Sequence, residues 1–420
     1  MPIDLFDKCR EFCLQTQFVK GVGAYPFFQP IEESEGPRVQ CDGRTLVMAV
    51  SNNYLGLTHH PKVREAAIQA TRRFGTGCSG SRLVNGNLKL HEELQARLAK
   101  FVGKEEALVF ATGFMSNLGA IGCLFDEGDV IFSDDENHAS IIDGCRQSRG
   151  QVVRYAHADA AACRAQVAAT TVTGGAAIVT DGVFSMTGTL APLPELVRIK
   201  HDTPQLCLYV DDAHGFGVFG ATGRGIGEHF QCMDAIDVLM GTFSKSLASI
   251  GGFVAGEAAV MEYIRHKARS LWFSAGLAPA NAAAALAALD VIESEPEHRT
   301  RLWENVHFVR HGFEELGVYL MPSAAPILSI WVGPEGRAMK LAMALREEGV
   351  FATPVAYPAV PYGHALIRTS YMATHQRADL TTIIEAFRKL APTYRLRRED
   401  LPGDPTTLPA APYYNLDDLL

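Results

Sequence analysis

Residues 237–256, "DVLMGTFSKSLASIGGFVAG", hold two short apolar runs separated by a hydroxyl-rich loop with one lysine, Lys245. Each run is strand-length, is bounded by glycine and polar residues and lacks a helical period, so each predicts a buried β-strand. Lys245 then lies on a connection between buried strands, and such connections carry chemistry in α/β proteins. A solvated loop lysine is the ordinary reading, because lysines are almost never fully buried without a partner. Held among Thr242, Ser244 and Ser246, a lysine can instead have its amine pKa lowered and form a Schiff base with a carbonyl compound.

The same punctuation recurs upstream. "EALVFA" (106–111), "DVIFS" (129–133), "AAIVTD" (176–181) and "LCLYVDD" (206–212) are short apolar runs spaced by helix-length stretches. That alternation predicts an α/β fold with a mainly parallel sheet and crossover helices, whose ligands bind beyond the carboxyl ends of the strands. Four regions are expected: an N-terminal helix and arm (1–45), a large domain (46–290), a smaller C-terminal α/β domain with an antiparallel sheet (291–395) and a Pro-rich, acidic-ended tail (396–420). The alanine-rich run 277–292, "LAPANAAAALAALDVI", is too short and polar to span a membrane and predicts a buried helix. The tail's end, "YYNLDDLL" (413–420), reads as loosely docked or as a docking peptide.

Composition narrows the function classes. The 420 residues are 47% hydrophobic and 20% charged, as in an ordinary globular protein with ample core. A formal net charge of -9 argues against nucleic acid or an acidic membrane as partner. Nine scattered cysteines form no CxxC pair, which fits free thiols in a reducing cytoplasm better than disulfides or a zinc site. The N-terminus is charged and amphipathic rather than a secretory signal. The 14 histidines show no HExxH or comparable ligand spacing, so no metal is expected.

Three further clusters bear on what Lys245 holds. In "FATGFMSNLGAI" (110–121), Gly113 and Phe114 open a helix directly after a strand, where backbone N–H groups and the helix N-terminus favour a phosphate. In "LYVDDAHGFGVFG" (208–220), Asp211 ends a strand and His214 follows. A buried carboxylate needs a partner such as a protonated ring nitrogen, although two aspartates capping a loop would look the same. In "SDDENHASIIDGCR" (133–146), His138 is either an ordinary helix-start residue beside Ser140 or an aromatic face over a planar ligand. A lysine for an imine, a carboxylate for a ring N–H, phosphate donors and a stacking histidine together match the needs of pyridoxal phosphate.

"DENHASIIDG" (135–144), "TDGVFSMTGTLAPL" (180–193), "YVDDAHGFGVFGATGRG" (209–225) and "GTFSKS" (241–246) closely resemble the α-oxoamine synthases. These are pyridoxal phosphate enzymes of the aminotransferase type I fold that condense an amino acid with an acyl thioester and lose CO2. "GSRLVNGNLKLHEELQ" (80–95) and "PAVPYGHALIRTSYMATH" (358–375) look most like the soluble bacterial serine palmitoyltransferases within that family. The resemblance implies that Lys245 is the imine lysine and the acid/base at the α-carbon, and that Asp211 pairs with the pyridine nitrogen. His138 would stack on the ring and touch the substrate carboxylate, and His214 would bond the phenolic oxygen. Gly113, Phe114, Thr242 and Ser244 would hold the phosphate, with Ser274 reaching it from a partner subunit, and Ser185 would lie beside the cofactor. Asn52 and Arg368 would grip the amino-acid carboxylate. Some bacterial members carry an additional arginine just before "PAVP", where this chain has Tyr357, so Arg368 is expected to act alone.

By the same resemblance the substrates are L-serine and palmitoyl-CoA, and the enzyme is a cytoplasmic homodimer with shared active sites. Close rivals are the family members that make 8-amino-7-oxononanoate or 2-amino-3-ketobutyrate, or that use a carrier-protein-bound acyl chain. A noncatalytic scaffold of the same fold is the rival of another class, and the intact "GTFSKS" argues against it.

Overall fold

The structure, a computed structural model, describes residues 4–401 and 403–407, so the segment 413–420 lies outside the described residues. The chain divides into two compact units, Asn52–Leu302 and the combination of Met1–Ser51 with Trp303–Leu420.

The first unit is built on a seven-stranded sheet. Its spatial order is Glu106–Phe110, Gly252–Gly256, Val238–Thr242, Leu206–Asp211, Ala176–Asp181, Val130–Asp134 and Gln151–Tyr155. The last five strands run parallel, and Gly252–Gly256 pairs antiparallel with both of its neighbours. Every apolar run singled out in the sequence is one of these strands. Ile131, Phe132, Ile178, Val179, Leu208, Val210 and Leu239 are completely buried. This follows from crossover helices covering both faces, which makes parallel strands continuously apolar rather than alternating. The alanine-rich run forms the helix Pro279–Ser294, which packs on the helix Pro61–Phe74 and buries most of its alanines. Small side chains let the two helix backbones approach closely.

The carboxyl ends of neighbouring parallel strands bring polar residues into register. Asp181 lies directly across from Asp211, and Asp211 across from Met240, two residues before Thr242. Val130–Asp134, Ala176–Asp181, Leu206–Asp211 and Val238–Thr242 each end on a polar residue, so chemistry concentrates along one edge of the sheet.

In the second unit, Ile327–Gly333, Ala365–Ser370 and Pro354–Val355 form an antiparallel sheet. The hairpin Arg38–Cys41/Arg44–Met48 is extended by a parallel strand at Val350–Phe351. His375 is buried in this unit, where its Nδ1 accepts from the Met372 N–H and its Nε2 donates to the Met48 carbonyl, both at 2.9 Å. All nine cysteines are free thiols. Among the described residues no helix is long and apolar enough to cross a membrane.

Candidate active site

The strand Leu206–Asp211 delivers Asp211 to the sheet edge, where it is 3% exposed. Its Oδ2 accepts from the Asn117 side chain at 2.6 Å, and its Oδ1 accepts from the Ala213 N–H at 2.9 Å. A carboxylate offers about four acceptor positions, so capacity remains for another N–H donor. Asn117 lies on the helix Gly113–Leu124, also donates to Ser140 Oγ at 2.8 Å and accepts from the Tyr209 hydroxyl at 2.8 Å. Ser140 Oγ is 2.8 Å from His138 Nδ1. A continuous polar chain therefore runs Asp211–Asn117–Ser140–His138, with every amide atom of Asn117 assigned.

His138 is also the N-cap of the helix Ala139–Gln147, as its position before an apolar helical run predicted. Its backbone starts the helix, while its ring faces Phe114 edge-on at 6.4 Å. Its backbone N–H donates to Asp181 Oδ2 at 2.7 Å. Burial keeps the His138 imidazole below its usual pKa; the Asp211 charge opposes this and Lys245 adds to it. Burial pushes the Asp181 carboxyl well up, with the Asp211 charge next, while the His138 N–H and Lys245 pull it back. Burial together with the neighbouring Asp211 charge therefore favours the protonated form of Asp181.

The aspartate pair at 211–212 divides its labour. Asp212 Oδ2 accepts from the Ile226 N–H at 2.8 Å and sits against Gly215 and Gly225, where a Cβ would meet its carboxylate at 1.9 and 1.7 Å. Gly225 also has φ +99, so only glycine suits that position. Asp212 is thus the loop strap and Asp211 the residue presented at the sheet edge. His214 follows in the same loop, and its Nδ1 is 2.7 Å from the hydroxyl of the fully buried Tyr54. That hydroxyl is also 3.4 Å from Asn52 Oδ1, which ties Asn52 to the same cluster.

Lys245 occupies a tight loop after the strand Val238–Thr242. Ser249 N–H bonds to the Phe243 carbonyl at 2.8 Å and Ala248 N–H to the Lys245 carbonyl at 3.1 Å. The Lys245 charge acts on His138, Asp181 and Asp212, which places the amine in the same electrostatic neighbourhood.

The phosphate candidates converge beside it. Thr242 Oγ1 is 3.0 Å from Ser244 Oγ and 3.1 Å from the Gly251 carbonyl. A Cβ on Gly113 would come within 2.6 Å of Thr242 Oγ1, so glycine is what lets the helix start approach these hydroxyls. Thr112 caps that helix through the Met115 N–H, leaving the Gly113 and Phe114 N–H groups as first-turn donors. This cradle, with the acceptor capacity of Asp211 and the nearby amine, fits the phosphate, ring nitrogen and aldehyde of pyridoxal phosphate.

Ser185 is half-buried in the turn after Asp181, within the segment closed by the Val183–Leu190 bridge. Ser274 lies in a bend after the short helix Arg269–Trp272, half-buried, with no hydrogen bond to the cluster among the described residues. Arg368 belongs to the second unit, buried on Ala365–Ser370 opposite Ser329. In that unit Tyr357 stacks on Tyr362 with ring centroids 4.0 Å apart.

Sequence reasoning overlooked Asn117, Ser140, Tyr54 and Asp181 as parts of this cluster. Asp181 carried the same signal as Asp211, an acidic residue closing an apolar strand run. Asn117 was visible only as a polar residue in an otherwise apolar helix.

The chain matches the family model "Aminotransferase class I and II" over residues 48–387. It is 48% identical over 364 residues to a serine palmitoyltransferase of Bacteriovorax stolpii, covering 86% of each chain. It is 44% identical over 384 residues to an 8-amino-7-oxononanoate synthase of Geobacter sulfurreducens, covering 91% of this chain and 98% of that one. Among solved structures, a lysine-to-alanine variant of the serine palmitoyltransferase of S. paucimobilis with a bound PLP–myriocin aldimine superposes with a TM-score of 0.90 at 31% identity, covering 94% of this chain and 100% of that one. With a lysine loop, a strand-end aspartate and a glycine-opened phosphate cradle on a mainly parallel sheet, this chain belongs to the aminotransferase class I and II family and, within it, is a pyridoxal phosphate-dependent acyltransferase of the α-oxoamine synthase type.

Proposed function

We propose that this enzyme condenses L-serine with palmitoyl-CoA to give 3-ketosphinganine, CoA and CO2, the entry step of sphingolipid synthesis. The observation that carries the choice of substrates is the 48% identity, over most of both chains, to a relative named for that reaction.

When bound, pyridoxal phosphate supplies an electron sink that acidifies the α-carbon of the amino acid. Lys245 removes the α-proton as general base, from a loop held by the Phe243–Ser249 and Lys245–Ala248 backbone bonds. Asp211 keeps a proton on the pyridine nitrogen, and Asn117 fixes the rotamer of its carboxylate. The 2.7 Å contact between the Tyr54 hydroxyl and Nδ1 orients the His214 ring, so that Nε2 is the nitrogen left to meet a phenolic oxygen. Gly113, Phe114, Thr242 and Ser244 hold the phosphate, and Ser185 borders the cofactor. His138 stacks on the ring and orients the substrate carboxylate, a positioning effect that lowers the entropic part of the barrier. Asn52 and Arg368 bind that carboxylate. The α-carbon then forms a bond to the thioester carbonyl, CoA leaves as the thiol, and CO2 departs from the resulting β-keto acid.

We further infer a cytoplasmic homodimer in which Ser274 reaches the phosphate of the partner's site. Gly276 N–H bonds the Gly80 carbonyl at 2.9 Å, joining two loops that expose Leu83, Val84 and Phe273. Such grouped apolar exposure suits a protein interface.

The test is a product assay of the holoenzyme with L-serine, L-alanine or glycine, each paired with palmitoyl-CoA or shorter thioesters. The expected result is CoA release and 3-ketosphinganine with serine and the long chain. Preference for alanine with a pimeloyl thioester would transfer the assignment to 8-amino-7-oxononanoate synthesis, for which a 44% identical relative is named.

A further inference from the structure

A second group of chemistry-bearing side chains lies outside this site. His60 immediately precedes the helix Pro61–Phe74, Glu295 closes the helix Pro279–Ser294, and His298 lies in the first turn of the helix Glu297–Glu315. The ends of three helices therefore present two imidazoles and a carboxylate to one point. Glu295 and His298 have the Glu-x-x-His spacing that puts two ligands on one turn, and His60 comes from 235 residues upstream.

The distances fit coordination better than hydrogen bonding. Glu295 Oε2 is 3.3 Å from His60 Nε2 and 3.4 Å from His298 Nε2. Charge-assisted N–H···O bonds run at about 2.7–2.9 Å. Zinc–nitrogen and zinc–oxygen bonds of about 2.0–2.1 Å instead put neighbouring tetrahedral ligands roughly 3.3–3.4 Å apart. The three ligand atoms all lie within 4.8 Å of one another.

Among the described residues His60 Nδ1 and His298 Nδ1 have no hydrogen-bond partner, so each ring makes its polar contact through the Nε2 that faces Glu295, and His298 is only 8% exposed. Lys62 takes the other carboxylate oxygen, Oε1, at 2.8 Å, leaving Oε2 facing the two imidazoles as a monodentate ligand.

We propose that His60, Glu295 and His298 form a binding site for a divalent transition-metal ion of the zinc class, which pins these helix ends together. Two imidazoles select against magnesium and calcium, which take oxygen ligands. Half-exposure of His60 and Glu295 leaves an approach for the ion and for a water as fourth ligand. The site is structural: none of its three residues belongs to the cluster around Lys245.

The test compares chelator-treated holoenzyme with the variants His60→Gln and His298→Gln, titrated with Zn²⁺ alone. Exposed thiols such as Cys9 and Cys13 bind equally in all three, so the difference isolates this site. The wild type should bind one more equivalent of Zn²⁺ per chain than either variant and gain roughly 2–5 °C in Tm at saturation. Equal stoichiometry in all three proteins would overturn the proposal. If either variant fails to fold, anomalous scattering at the zinc edge from wild-type crystals decides: a peak among the three side chains supports the site, and its absence overturns it.

Discussion

Tyr54 and His214 show how much chemistry rests on one buried contact. The Tyr54 hydroxyl is fully enclosed and 2.7 Å from Nδ1, so it fixes the orientation of the His214 ring. Tyr54→Phe should keep the fold and lower kcat about tenfold, with a smaller change in the amino-acid KM, because a loosened His214 ring positions its hydrogen bond less well. An unchanged kcat across the pH range would separate Tyr54 from the mechanism. His375 makes a different, thermodynamic statement. Burial pushes its imidazole down to about 4, so the folded protein keeps it neutral while the unfolded chain protonates near 6.5. The unfolded state therefore binds more protons between these values, and stability declines as pH falls through that window, by about 3 kcal/mol in all. The Tm of His375→Gln should accordingly drop less than that of the wild type between neutral and mildly acidic pH. An equal drop would place the acid sensitivity in other groups.

At the scale of elements, the helix Gly113–Leu124 does two jobs. Its N-terminus offers first-turn N–H groups, and one turn further in it supplies Asn117 to the Asp211 carboxylate. Both depend on how closely its start approaches Thr242, and a methyl group at position 113 would sit 2.6 Å from that hydroxyl and 2.9 Å from the Thr242 Cβ. Gly113→Ala should therefore weaken cofactor affinity by roughly tenfold or more, since each 1.4 kcal/mol lost is a factor of ten. Equilibrium dialysis of pyridoxal phosphate measures this directly. Wild-type retention would show that the helix start shifts without loss of the cradle. The strand feeding this helix, Glu106–Phe110, was readable as an apolar run because Ala107–Phe110 are all buried.

At the scale of the whole molecule, the proposed sharing of active sites across a homodimer makes a quantitative prediction. Lys245→Ala alone should abolish turnover, and Ser274→Ala alone should weaken it through the phosphate. In a mixed dimer one site carries both changes and the other carries neither. Co-refolding the two inactive or weakened variants in equal amounts should therefore restore about a quarter of wild-type activity, from half the dimers each with one intact site. Recovery no greater than that of the Ser274→Ala protein in the same mixture would place Ser274 in its own subunit's site.

What the sequence determined by itself follows from local chemistry. Strand-length apolar runs declared the sheet, a glycine after a strand declared the phosphate end, and Lys245, Asp211, His138 and His214 stood out against their neighbours. Tertiary structure alone decided which side chains complete them. Asn117 meets Asp211 across 94 residues, Tyr54 meets His214 across 160, and His60 meets Glu295 across 235. No spacing in the chain encodes such meetings, because crossover connections and strand register set them. The same holds for the two aspartates at 211 and 212. Alternation along the strand sends neighbouring side chains to opposite faces, so only the folded sheet shows that one faces the site and the other straps the loop.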